Sequence, residues 1–401
     1  MSRKLGIIAI SYNRPNSLKR LLTRLNECDY CGDIISLIIS IDNSGKDDVK
    51  KVADTFEWRY GTKIVKYQKN RLGLRHHILK CGSYINEFDF DAVAVFEDDI
   101  VPSRYFYEFM KQSVEKYDGN PNIAGISLYS PRWNVNAGLP FEPDWSGKDV
   151  FFMQYAQSWG QIWTANGWND FLKWYDDNCE NDTFLGVPDY VNSWPNTSWL
   201  KYHIAYCVQN NKYFLYPYIS LSTCYADVGQ HSPIHVNIYQ VPVLQSQVGQ
   251  YRFAEIDSSI RYDVYWEREE VFLCDNVTID IYGTKRVEDY KQYVISSLEL
   301  PFKVIDSYGY ELRPHERNVI DKVKGNDIWV YDTSVSRDLK KRKVNPNKLP
   351  FYFKLDRSGK WFIKYVIELK IEILKKKNQF FNKQLLNTII QYLTEKFRRK
   401  G

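Results

Sequence analysis

Four short apolar runs in the first hundred residues each break off into polar or charged residues, and helical patterns lie between them. Residues 5–10 end in Ser11-Tyr12-Asn13-Arg14-Pro15, residues 34–41 in Asp42-Asn43-Ser44-Gly45, residues 63–67 lead to Asn70-Arg71-Leu72-Gly73, and residues 92–96 end in Glu97-Asp98-Asp99. Short β-branched runs of this kind read as buried strands. Pro15 and Asn16 open a helix in which Leu18, Leu21, Leu22 and Leu25 follow the helical period. Strands separated by helices predict a mostly parallel α/β sheet with crossover connections. The four polar tips should then gather along one edge, where open sheets of this type bind ligands. Three adjacent carboxylates at one tip repel each other unless a cation sits among them. A hard divalent ion, Mg2+ or Mn2+, takes oxygen ligands and leaves positions open for substrate phosphates. A solvated acidic turn would present the same triplet.

The chain of 401 residues has room for two domains, and its 31 Tyr, 21 Phe and 12 Trp exceed what a core alone needs. Aromatic faces also suit sugar rings and nucleobases. The net charge of +5 does not point to nucleic acid, because residues 360–401 hold 11 Lys or Arg against three Glu, and the rest of the chain is slightly acidic. Seven cysteines form no repeating framework, and the Cys28-x-x-Cys31 pair has no second pair at zinc-ligand spacing. They read as reduced thiols of a cytoplasmic protein. Neither a signal peptide nor an apolar run of spanning length is visible.

Beyond residue 120 the pattern loosens into Gly-, Pro- and Trp-rich loops, with strands expected at 123–128 and 213–221. Composition divides the chain into 1–245 (halves at about 1–119 and 120–245), a small α/β unit at 246–336, and a basic tail at 337–401. The small unit should carry strands at 277–282 and 327–331 and a helix around 286–298. In the tail, Ile363, Val366, Ile367, Ile371 and Leu374, then Phe381, Leu385, Ile389, Leu393 and Phe397, recur at helical spacing among lysines. That pattern suits a helix lying on an anionic membrane surface. Packing on the protein's own body, or on a second subunit of a homo-oligomer, is the alternative.

The order of the four tip motifs resembles a nucleotide-sugar glycosyltransferase of the GT-A fold. It is closest to the N-acetylglucosaminyltransferase I-like and bacterial family 2-like branch, which carries a Glu-Asp-Asp metal motif. The resemblance covers about residues 4–235. It implies a Rossmann-like GT-A domain and transfer of a sugar from a nucleoside diphosphate, a UDP-sugar foremost, to a glycan or lipid-linked acceptor. By resemblance Asp99 is the direct ligand of Mn2+ or Mg2+, while Glu97 and Asp98 face the donor sugar and ribose. Arg14 matches a nucleotide-contacting position, although its fork suits pairing with a carboxylate equally well. Asp42 matches a nucleobase contact, or is a turn residue. Arg75 falls where the family places a cation near the phosphates, or is a solvated helix residue.

His231 aligns with a histidine that completes the metal shell or touches the diphosphate, and Trp159 with a loop beside the donor sugar. Inverting transfer needs a general base near the acceptor hydroxyl. At the family's carboxylate position this chain has Thr197 or Ser198, and neither serves as a base at neutral pH. Asp189 upstream is the favoured replacement, with Asp227 downstream the other. The resulting expectation is an inverting, metal-dependent hexosyl- or N-acetylhexosaminyltransferase of bacterial surface polysaccharide synthesis. It would be cytoplasmic and peripheral on the inner face of the membrane. Two rivals remain: a non-catalytic glycan-binding or scaffold protein, and a sugar nucleotidyltransferase. The second would be expected to carry a Gly-rich loop after strand one, which this chain lacks.

Overall fold

In the computed structural model, which describes residues 3–225, 227, 239–271 and 275–337, the expected alternation opens the chain. It runs β1 (Leu5–Ser11), α1 (Pro15–Asn26), β2 (Ser36–Ile41), α2 (Asp48–Thr55), β3 (Lys63–Tyr67), α3 (Leu74–Glu87) and β4 (Ala92–Glu97). Next come β5 (Ile100–Pro102), α4 (Phe106–Tyr117), β6 (Ile123–Ser127) and a two-residue pair, β7 (Trp133–Asn134) with β8 (Leu139–Pro140). Then follow β9 (Val150–Met153), β10 (Gln161–Thr164), α5 (Ala165–Asn178), α6 (Asp189–Asn192), α7 (Trp199–Gln209), β11 (Tyr213–Pro217) and β12 (Ser222–Cys224). The last elements are β13 (Arg261–Tyr262), β14 (Val277–Asp280), β15 (Tyr293–Ser296), β16 (Phe302–Tyr308), α8 (Glu316–Ile320) and β17 (Ile328–Ser336). None of the described helices is long and apolar enough to cross a membrane.

Nine strands form one mixed, mostly parallel sheet in the order β13-β9-β11-β6-β10-β4-β1-β2-β3. β1 is parallel to β2 on one side and to β4 on the other. The chain therefore leaves β1 toward β2 and β3, then returns across it to β4. That reversal opens a crevice beyond the carboxyl ends of β1 and β4, the usual place for a ligand in such sheets.

Every residue of β1 is buried, as a parallel strand covered on both faces must be. Leu5, Ile7 and Ala9 join the core under α1, α2 and α4, while Ile8 and Ile10 face the core under α3, α5 and α7. β4 divides in the same way, with Ala94 and Phe96 on one face and Val93 and Val95 on the other. Gly82 of α3 is where the helix meets Trp168, since a Cβ there would lie 2.0 Å from the indole. Trp168 in turn stacks on Trp163 of β10, with ring centroids 3.9 Å apart.

Three local expectations change. The second strand begins at Ser36 rather than at residue 34, and Ile34 is 84% exposed. The strand expected at 213–221 stops at Pro217, and the chain restarts as β12, antiparallel to β5. The helix expected around 286–298 is instead a single turn at Val287–Asp289 followed by β15. There Val294 and Ile295 bury on opposite sheet faces between β14 and β17, a period-two placement that suits β-branched side chains.

The small sheet has the order β14-β15-β17-β16 and belongs to the same compact unit, Met1–Lys340, as the large one. The connector before it packs into the large sheet: Tyr251 and Ile256 enter one core, and Ile260, Tyr262 and Trp266 enter the other. The amphipathic tail and His231 lie outside the described residues.

Candidate functional site

The crevice beyond β1 and β4 is a cavity of about 470 Å3 that collects all four polar tips. Ser11 to Arg14 follow β1, Asp42 follows β2, Arg71 and Gly73 lie between β3 and α3, and Glu97 to Asp99 end β4. Trp159, Tyr190, Cys224, Tyr225, Asp227 and Tyr239 complete the lining.

The acidic triplet is held at its centre by Arg14. The Arg14 guanidinium pairs with Asp98 Oδ1 through one arm and with Asp99 Oδ2 at 3.1 Å through the other. Asp98 is buried and also accepts a hydrogen bond from Ser11 Oγ at 2.6 Å. Burial nevertheless raises its pKa to about 6, against the pull of Arg14 and Ser11. Arg14 itself loses by burial but gains more from Asp98 and Asp99, so its pKa rises. Glu97 is pushed up to about 8 by burial and by the neighbouring Asp99 and Asp98 charges. Its carboxylate accepts no hydrogen bond among the described residues.

Asp42 is fully engaged by the backbone. It accepts from Asn43 N at 2.9 Å, Leu72 N at 2.8 Å and Gly73 N at 2.9 Å. Gly73, at φ +75°, turns the chain so that its amide and that of Leu72 both face the carboxylate, and it starts α3. Asp42 therefore fixes the loop that carries Arg71, whose guanidinium lies 5.1 Å from the Tyr12 ring centroid. Beside it His77 is tied to Ser40 Oγ at 2.8 Å, and burial drops its pKa to about 4, so the ring is neutral at pH 7.

The remaining lining is aromatic. Trp159 lies between Tyr129 and Tyr239, with centroid distances of 4.8 and 5.0 Å. Tyr225 hangs from the triplet, since its amide donates to Asp99 O at 2.6 Å, and Arg20 stacks on its ring at 3.7 Å. Asp227 accepts from Ser17 Oγ at 2.6 Å and pairs with Arg20. Those contacts outweigh the cost of burial and hold its pKa below the usual range.

Of the residues singled out in the sequence, Arg14, Asp42, Glu97, Asp98, Asp99, Trp159 and Asp227 meet in this cavity. Arg75 does not line it. Its guanidinium donates to Tyr202 Oη at 2.8 Å and to Cys179 O at 3.4 Å, joining α3 to α7. Asp189 does not line it either; it pairs with Arg286 near the surface, while the next residue, Tyr190, reaches the cavity. Tyr12 and Arg71 stood inside the motifs without a role. Tyr190, Tyr225 and Tyr239 carried no local signal, because only tertiary contacts bring them in.

Among the described residues no group of three or more His, Cys, Asp or Glu is arranged to hold a metal ion. Within the triplet, the oxygens with no partner among the described residues are those of the Glu97 carboxylate and Asp99 Oδ1. Two carboxylates and no nitrogen or sulfur suit a hard divalent ion that draws its other ligands from water and phosphate. That donor set fits Mg2+ or Mn2+ bound together with a diphosphate.

No protein-family model and no curated protein matches the chain. Among solved structures it aligns with the mannosyltransferase PcManGT of Pyrobaculum calidifontis in complex with GDP-Man and Mn2+. The identity there is 13% over 43% of this chain and 46% of that one, with a TM-score of 0.30. It also aligns with S. aureus TarS in complex with UDP-GlcNAc, at 14% identity over 57% of this chain and 60% of that one, TM-score 0.37. For TarS in complex with UDP the values are 12%, 53%, 57% and 0.35. The chain thus spans 46 to 60% of the length of these structures.

Proposed function

We propose that the chain is a glycosyltransferase of GT-A type, in the N-acetylglucosaminyltransferase I-like branch. It moves a hexosyl or N-acetylhexosaminyl group from a nucleoside-diphosphate sugar, a UDP-sugar foremost, to a glycan or lipid-linked acceptor. The observation that carries this reading is the meeting of four strand-end motifs in one cavity at the strand-order reversal.

In this reading Arg71 and Tyr12 flank the nucleoside, and Asp42 holds the Arg71 loop in place. The diphosphate lies toward Arg14 and the triplet, and the sugar toward Trp159. Asp99, with Glu97 near it and His231 as a further ligand, would hold the divalent ion. When bound, that ion neutralises charge on the departing diphosphate. Arg14 offers the same oxygens a planar fork, and the indole of Trp159 excludes water on the sugar side. Residues 1–245 carry the transfer, 246–336 support it, and the basic tail holds the protein at an anionic membrane surface.

Inversion requires a base, and Asp189 serves only when its pair with Arg286 opens. That pairing is the observation favouring a second reading, a non-catalytic domain that binds glycan. One experiment separates the two. UDP-, GDP-, dTDP- and CMP-sugars are screened by thermal shift with and without Mn2+, beside Asp99→Ala, and donor hydrolysis is followed for any donor that binds. One donor class stabilising only the wild type, and slowly hydrolysed, supports transfer. Binding without any turnover supports the second reading, and no shift with any donor overturns the donor cavity itself.

A further inference from the structure

Asp98 and Asp99 share one guanidinium on unequal terms. Asp98 is 3% exposed and has a second donor, Ser11 Oγ, so it remains satisfied whatever Arg14 does with its other arm. The Asp99 side chain is 27% exposed and, among the described residues, its carboxylate is held by Arg14 alone, at 3.1 Å. The contact to Asp98 is thus the fixed end of Arg14, and the contact to Asp99 is the releasable end. The releasable end faces the cavity, at the same carboxylate that a divalent ion would use.

We infer that Arg14 is a built-in competitor for the cation position. It occupies Asp99 while the cavity is empty and gives that carboxylate up when a diphosphate engages its fork. A lone divalent ion then meets a carboxylate already bonded and a positive charge beside it. A diphosphate offers the guanidinium paired anionic oxygens of the geometry it prefers. Freed from Arg14, Asp99 presents both oxygens to the ion. Nucleotide and ion must therefore strengthen each other's binding, and linkage makes the gain equal in both directions. The inference rests on the donor-cavity reading above and adds the order it imposes: the ion binds weakly before the nucleotide and firmly with it.

The test is a Mn2+ titration of the full chain, following free Mn2+ by electron paramagnetic resonance, alone and with UDP or GDP. In the wild type the diphosphate should tighten Mn2+ binding about tenfold or more, a size typical of coupled sites. In Arg14→Gln, Mn2+ alone should bind about tenfold tighter than to the wild type, and the nucleotide should add little. Arg14→Lys guards against a misfolded glutamine variant. A lysine ammonium is a shorter, compact charge without the planar fork whose two arms reach Asp98 and Asp99 separately, so Mn2+ alone should again bind more tightly. Mn2+ alone binding either folded variant no better than the wild type overturns the inference, because Arg14 would then support the site rather than compete for it. If the wild type binds none of the nucleotides or nucleotide sugars, the donor reading fails, yet the comparison with Mn2+ alone still decides the role of Arg14.

Discussion

One part of the cavity lining is made of strand ends and the other of loops, and the two are held by different forces. Asp42 and Glu97 to Asp99 stand at the ends of β2 and β4, and Arg14 just past β1 at the start of α1, with the β1–β2 and β1–β4 ladders running up to them. Except for the Glu97 carboxylate, their polar atoms are tied into short hydrogen bonds and ion pairs. Trp159, Tyr225 and Tyr239 come from loops and Tyr190 from the single-turn α6, up to 80 residues apart; ring packing sets Trp159 and Tyr239, while Tyr225 is held by its amide on Asp99 O and by Arg20 on its ring. A ladder-held wall is suited to charges whose geometry must not drift. A loop-held wall can vary its shape and so decide which sugar or acceptor fits.

If that division holds, the largest effect belongs to the strand-end wall. Asp99→Ala should lower transfer by about 10²- to 10³-fold, as removal of one charge-stabilising group does, with its melting temperature close to the wild type. Steady-state assays with the donor class found by thermal shift check this. Asp42→Ala should act through the fold, because three part-buried backbone N–H groups lose their acceptor. A loss of about 3 kcal/mol in urea denaturation is expected, together with weaker nucleotide binding.

A third test lies away from both walls, where α8 meets the large sheet. Glu316 is buried and accepts from Tyr262 Oη at 3.0 Å, and burial raises its pKa to about 7. The folded state therefore keeps this proton more tightly than the unfolded chain. Stability should fall as pH rises from about 4.5 to 7 and then level off, by up to about 3 kcal/mol from this group. Urea denaturation of Glu316→Gln at pH 5 and pH 8 should show that component of the slope removed. An unchanged slope would place the titration elsewhere.

The smallest effect should come from the loop wall. Tyr190→Ala removes a 43% exposed ring, so stability should hardly change while the acceptor KM rises by about threefold to tenfold. An equal loss in kcat with no change in KM would mean that the loops do more than shape the acceptor site.

Much of the strand-end wall was legible in the sequence, because a buried parallel strand announces itself as an apolar run and its end as the first polar residue. Asp42 shows the limit of that legibility: its position was readable, but not that three amides saturate it. Arg75 shows another. From the sequence it was one cation among several near the tip, and the turn that begins α3 directs it to Tyr202 while Arg71 faces the cavity. The strand at Tyr293–Ser296 was missed because its partners, β14 and β17, lie 16 and more than 30 residues away, and a short apolar segment takes its period from whatever it packs against.

The sequence by itself determined the alternating α/β order and the clustering of polar tips at one edge, because strand periodicity and the parallel crossover rule are local consequences of side-chain pattern. Only the tertiary structure decided that Arg14 joins Asp98 to Asp99, that Asp189 turns to Arg286, and that four aromatic rings close the cavity. Those contacts join residues tens of positions apart, up to 97 for Asp189 and Arg286, and packing rather than local pattern selects among the partners each side chain could take.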